Sequence, residues 1–182
     1  MRSQRGVFLD RDGILNEVVE RDRKPFPPMK LDEVRLIEGA RLAVSSLRLA
    51  GFVTICVTNQ PDVARGVMDR RTADAINNYV ASELRVDDLI ACFHDDSDGC
   101  TCRKPLPGML IEAAARWSLR LEESYLVGDR WRDIDAGTAA GCRTVLVDRG
   151  WAERSPAGTP TARARSPLEA ARWILRDARR AS

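Results

Sequence analysis

The 182-residue chain contains one histidine and two tyrosines and carries little net charge, +2 with the histidine neutral. So small an imbalance gives no reason to expect nucleic acid or an acidic membrane as a partner. No apolar stretch approaches the ~20 residues that a membrane-crossing helix needs. The first residues lack the apolar core of a secretory signal, so a cytoplasmic location is expected. Internal repeats, an inter-domain linker and a P-loop phosphate motif are all missing. What remains is a composition of 44% hydrophobic and 31% charged residues. That balance is ordinary for a globular protein, and the length suffices for a single domain over residues 1–182, expected to act as a monomer.

Cysteine is sparse and unevenly placed. Of five, Cys92, Cys100 and Cys102 crowd around His94, while Cys56 and Cys142 sit in apolar surroundings that suit small buried groups. In Cys92-Phe93-His94 and Cys100-Thr101-Cys102, one-residue gaps aim each pair of side chains the same way in extended chain. A turn through Asp95 to Gly99 can bring the pairs together. Three thiols and one imidazole fit tetrahedral Zn²⁺ with no open position, which makes residues 92–102 a candidate structural zinc loop. Reduced free cysteines or a disulfide are the alternatives, and iron or cobalt could take the same ligands.

Strand and helix signals alternate along the chain. Gly6 to Leu9 reads as a buried strand. Ile14 to Lys30, with Pro25, Pro27 and Pro28, reads as a loop or flap. A helix from Glu38-Gly39 to Gly51 carries Leu42, Val44, Leu47 and Leu49. Phe52 to Thr58 is a β-branched strand, Met68 to Arg85 a helix, and Asp88 to Phe93 a third strand. Leu106 to Leu121 is helical, Ser124 to Val127 a strand, Trp131 to Ala140 a short helix and Thr144 to Val147 a strand. Asp148 to Ser166 reads as a loop, and Pro167 opens a last helix through Arg180. This alternation predicts an α/β fold, a doubly wound parallel sheet without a large cap domain.

In such sheets ligands bind at the carboxyl ends of the strands. Those ends carry Asp10 and Asp12, then Thr58-Asn59-Gln60, then Gly128-Asp129. Asp10 and Asp12, two apart, share one side of an extended chain and suit metal binding or a nucleophile with an acid/base partner. Thr58 with free backbone amides makes an anion cradle. Arg103-Lys104-Pro105 supplies a cation, and Asp133 falls on the helix face of Asp129. Taken singly, each piece is as well read as a solvated strand end, a basic turn or a helix cap; three strands delivering such groups to one edge argue for an active site.

Joined in this order, the pieces from Val7 to about Gly150 resemble the haloacid dehalogenase (HAD) superfamily of phosphotransferases. The resemblance implies Asp10 as the nucleophile that becomes an aspartyl phosphate and Asp12 as the acid/base. Thr58 and Lys104 would hold the phosphoryl oxygens. Mg²⁺ would lie between Asp10, the main-chain carbonyl of Asp12 and Asp129, with Asp133 supporting that shell. Within the superfamily the Cys-x-His and Cys-x-Cys loop is similar to a subgroup with D-glycero-D-manno-heptose 1,7-bisphosphate 7-phosphatases and histidinol-phosphate phosphatases. Thr58-Asn59-Gln60 with Ala64-Arg65-Gly66, Arg103-Lys104-Pro105 with Pro107-Gly108-Met109-Leu110, and Gly128-Asp129-Arg130 resemble the heptose enzymes. That resemblance makes a small phosphorylated sugar the expected substrate, with Arg65, Arg103 and Arg130 as candidates for a distal phosphate and Asn59 and Gln60 beside the substrate. Two features depart from it: a short five-residue gap between His94 and Cys100, as in the histidinol phosphatases, and Pro61-Asp62 where a serine is usual. A nucleic-acid 3′-phosphatase, suggested by the Arg-rich C-terminal helix, and a catalytically silent zinc-stabilised module are the remaining readings.

Overall fold

The computed structural model describes residues 4–22 and 24–180. β1 (Gly6–Leu9), β4 (Val53–Asn59), β5 (Asp88–Cys92), β6 (Tyr125–Gly128), β7 (Arg143–Val147) and β8 (Ala162–Ala164) form one sheet in the order β5-β4-β1-β6-β7-β8. Every neighbouring pair is parallel. The helices are α1 (Ala40–Leu49), α2 (Arg70–Leu84), α3 (Gly108–Trp117), α4 (Trp131–Ala139) and α5 (Pro167–Arg180). The predicted doubly wound α/β fold is therefore the observed one.

Both faces of the sheet are covered, and strand alternation divides the core accordingly. Val7 and Leu9 of β1, with Tyr125 and Val127 of β6, pack under α1, α2 and α5 through Val44, Leu47, Ile76 and Ile174. Phe8 and Leu126 point the other way, onto Met109, Leu110 and Ala113 of α3 and Ala136 of α4. Cys56 and Cys142 are buried in these cores as expected, one on each side.

Three local expectations differ from the structure. The proline-bearing flap contains an antiparallel hairpin, β2 (Val19–Arg21) and β3 (Lys24–Phe26). A two-stranded ribbon has only edge strands, which is where Pro25 is tolerated. On α1 the core-facing residues are Ala40, Ala43, Val44 and Leu47, whereas Leu42 and Leu49 are exposed. The stretch predicted as a loop over Asp148 to Ser166 includes β8, three residues that extend the sheet beside β7. The hairpin is the insertion between β1 and α1; α1 connects to β4 through three residues, Ala50 to Phe52. Among the described residues no helix is long and apolar enough to cross a membrane.

Candidate active site

The carboxyl ends of β1, β4 and β6 lie side by side because those strands are adjacent. Beyond β1 the main chain doubles back: Leu15 and Asn16 donate their N–H to the carbonyl of Arg11, and Gly13 donates to that of Asn16. Gly13 has φ +87°, and a Cβ there would stand 2.1 Å from Oδ2 of Asp129. Only glycine accommodates both the left-handed backbone and this approach. The turn thus brings the N-terminal acids against the end of β6.

Lys104 is the hub. Its Nζ donates to Oδ1 of Asp10 at 2.9 Å, to the Val57 carbonyl at 2.9 Å and to Oδ1 of Asp133 at 2.5 Å, and the residue is 2% exposed. Asn59 fixes the lysine's backbone from both sides, donating from Nδ2 to its carbonyl at 2.9 Å and accepting its N–H at 3.1 Å. Burial alone would depress the ammonium, but the carboxylates of Asp10 and Asp133 outweigh it and hold Lys104 above its ordinary value. It is a permanent cation.

Carboxylate oxygens of Asp10, Asp129 and Asp133 lie within 4.8 Å of one another. Asp10 is raised to about 6, chiefly by burial and further by Asp133 and Asp12, against the lowering charge of Lys104. Asp129 is raised by burial and then by Asp10 and Asp133, against the indole N–H of Trp151 and the charge of Arg130. Oδ1 of Asp129 is buried without a hydrogen-bond partner among the described residues. Crowded hard oxygens that resist ionising together and leave a lone pair unmet are the donor set that suits a small divalent cation such as Mg²⁺. The structure thus brings Asp133 directly into the acid cluster.

Asp12 faces elsewhere. Its carboxylate accepts from Arg11 at 2.8 and 2.9 Å, from Nδ2 of Asn16 at 2.9 Å and from Nε2 of Gln60 at 2.9 Å. Arg11 is wholly buried and reaches on to Oδ1 of Asn77 at 2.6 Å. Gln60 also donates to the buried Thr58 hydroxyl at 2.8 Å, so it orients both neighbours.

A cleft of about 280 Å³ opens over Asp10, Asp12, Lys104 and Asp133, whereas Asp129 lines a neighbouring hollow with Trp151. Asp10, Asp12, Thr58, Asn59, Lys104 and Arg130 line its floor and wall, and Arg65 its rim with Lys24 and Phe26 of the hairpin. The three arginines expected to meet a distal anion each already hold a carboxylate. Arg65 pairs with Asp95 at 2.6 Å, Arg103 with Asp96 at 2.8 Å and Arg130 with Glu153. Arg103 is buried on the side of the cysteine loop and does not line this cleft. Arg132, Glu153 and Asp62 line it without having been singled out as substrate contacts. Arg132 had a visible signal, lying two residues after Arg130; Glu153 had none.

The cysteine loop closes on itself. The sulfurs of Cys92, Cys100 and Cys102 lie 3.1–3.8 Å apart, with Nδ1 of His94 3.3 Å from Cys102 and 3.6 Å from Cys92. Bonds of about 2.3 Å from a tetrahedral zinc put sulfurs roughly 3.8 Å apart, so this cage has nearly the size required. From it the chain runs through Arg103 directly to Lys104, and Asp96 ties the loop to Arg103 and Arg132.

Known proteins resemble this chain in sequence and fold. The HAD-hydrolase-like family matches residues 101–170. The D-glycero-β-D-manno-heptose-1,7-bisphosphate 7-phosphatase of Bordetella bronchiseptica is 37% identical over 149 residues, 79% of this chain and 80% of that protein. This chain belongs to the HAD hydrolase family. By catalytic class it is a phosphatase. The crystal structure of D,D-heptose 1,7-bisphosphate phosphatase from B. bronchiseptica, complexed with magnesium and phosphate, superposes with a TM-score of 0.81 at 32% identity, covering 96% of this chain and 99% of that one. A putative HAD-like phosphatase from Mesorhizobium loti gives 0.78 at 32% identity, covering 97% and 88%. The heptose phosphatase of Photorhabdus laumondii, named for the α rather than the β anomer, is 32% identical over 163 residues, 82% of this chain and 86% of that protein.

Proposed function

We propose that the chain hydrolyses a phosphomonoester of a small sugar, D-glycero-D-manno-heptose 1,7-bisphosphate at its 7-phosphate, through an aspartyl phosphate on Asp10. The observation that carries this reading is the buried Lys104 ammonium between Asp10 and Asp133 at the floor of the cleft. In the first step a carboxylate oxygen of Asp10 bonds to phosphorus as the bond from phosphorus to the sugar oxygen breaks, and Asp12 gives that oxygen its proton. In the second step water bonds to phosphorus, Asp12 takes its proton back, and the Asp10 carboxylate leaves. Lys104, the Thr58 hydroxyl and the amide after it hold the equatorial oxygens throughout, since phosphoryl transfer is mainly positioning and charge neutralisation.

Asp10, Asp129 and the main-chain carbonyl of Asp12 would hold Mg²⁺, with Asp133 beside them; when bound, the ion neutralises phosphoryl charge that would otherwise repel the nucleophile. Cys92, His94, Cys100 and Cys102 would hold a structural Zn²⁺. The reading includes one domain acting as a monomer on a free cytoplasmic metabolite, supported by a single chain supplying the acids, the lysine and the cleft. A second reading is histidinol-phosphate phosphatase. Arg65, Arg103 and Arg130 each already hold a carboxylate, and Asp62 and Glu153 at the cleft are in turn paired with Arg65 and Arg130. These pairs add no net positive charge, which favours a substrate without a second phosphate. Side-by-side kcat/KM on both anomers of the heptose bisphosphate and on histidinol phosphate decides between them. Heptose turnover at least tenfold the better supports the first reading; the reverse order replaces it with the second.

A further inference from the structure

The segment after β7 is fastened to the active-site turns at three points. Arg149 donates from Nε and Nη2 to the Gly13 carbonyl at 3.2 and 2.9 Å. Trp151 donates from Nε1 to Oδ2 of Asp129 at 2.6 Å. Glu153 pairs with Arg130. The middle contact differs from the others because it falls on the acid cluster itself. Oδ2 of Asp129 is boxed in by the indole on one side and by the Gly13 turn on another, where a Cβ would lie 2.1 Å away. Oδ1 of the same carboxylate is buried and has no partner among the described residues.

We infer that Trp151 is a positioning residue for the divalent-cation site: its indole N–H holds Oδ2 of Asp129 and so leaves Oδ1 as the oxygen offered to the cation. The inference rests on the phosphatase reading above. The chemistry of an indole suits the task. It donates and cannot accept, so it never competes as a ligand. It is uncharged, so it does not repel the incoming cation as Lys or Arg would, and its bulk keeps water off Oδ2. Partners that orient a metal-binding side chain typically contribute 10–100-fold in metal affinity.

The test is Mg²⁺ titration of wild type and Trp151→Phe by calorimetry and by thermal shift, with kinetics alongside. Expected is a 10–100-fold weaker Mg²⁺ affinity in W151F, turnover restored by excess Mg²⁺, and an unchanged KM for substrate. A variant that melts earlier but binds Mg²⁺ as wild type does has lost only packing, and the inference is overturned; a turnover loss that Mg²⁺ does not rescue also counts against it. Should W151F fail to fold, ¹⁵N-indole spectra of the wild type decide. One N–H protected from exchange and shifted by Mg²⁺ supports the inference, and four indoles indifferent to Mg²⁺ refute it. Wild-type protein that binds no Mg²⁺ removes the magnesium reading as well, which separates that failure from failure of the Trp151 assignment alone.

Discussion

Nζ of Lys104 lies 2.9 Å from Oδ1 of Asp10, with the lysine 2% and the aspartate 7% exposed. A cation sealed at this distance opposes protonation of the carboxylate in a cluster of acids, which is what the proposed nucleophile requires. In the proposed mechanism it also stands where negative phosphoryl oxygens come to rest.

Replacing Lys104 by methionine keeps the stem and removes the charge. The expected kcat falls by about 10²-fold or more, the scale for losing one preorganised charge-stabilising donor. Metal-free protein also loses stability, on the order of 3–5 kcal/mol, because buried carboxylates lose their partner. Mg²⁺ recovers part of this by neutralising the same acids. Chemical denaturation with and without Mg²⁺ measures both effects.

The acids set a pH dependence. Asp10 rises from 3.8 to about 6 in the folded chain, and Asp129 rises in the same direction. A carboxyl whose folded pKa is raised binds its proton more tightly in the native state. Its contribution to stability is therefore complete below 3.8 and is lost as pH climbs through about 6. Metal-free protein should lose stability across that window. Mg²⁺ needs the ionised oxygens, so its affinity should grow as pH rises through about 6 and its binding should release protons. Melting temperatures with and without Mg²⁺, measured on both sides of that window, must diverge with increasing pH.

The cysteine cage makes a separate prediction about the same lysine. Purified protein should contain stoichiometric zinc, and Cys102→Ser or a strong chelator should remove it. Because Cys102 stands two residues before Lys104, loss of the ion should lower kcat more than it raises KM, together with a fall in melting temperature. Metal analysis with kinetics on the same sample checks this. Full activity in metal-stripped protein would assign the cage to stability alone.

How far these features could be read from the residues depended on whether their signal was local. Asp10, Asp12 and Asp129 stood out because apolar runs ended in acids, and a parallel sheet gathers such ends. The cage was legible from spacing, since its four ligands lie within eleven residues. The hairpin and β8 were not, because three-residue strands are too short to show a period and Pro25 signals a loop. Leu42 and Leu49 misled because apolar character alone does not say which side of a helix meets the sheet. Trp151 and Glu153 gave no warning, as their partners lie 22 and 23 residues away across β7. The pairing of Arg65 with Asp95 had the same cause: charge complementarity across two loops leaves no pattern along the chain.

The central claim is that phosphorus is bonded to Asp10 during turnover. Rapid acid quench of Mg²⁺-loaded enzyme turning over phosphate-labelled heptose bisphosphate, followed by peptide mapping, addresses it directly. The account predicts label on Asp10, and none in Asp10→Asn, which should be folded and inactive. Label on a different residue, or near wild-type turnover by Asp10→Asn, would contradict it.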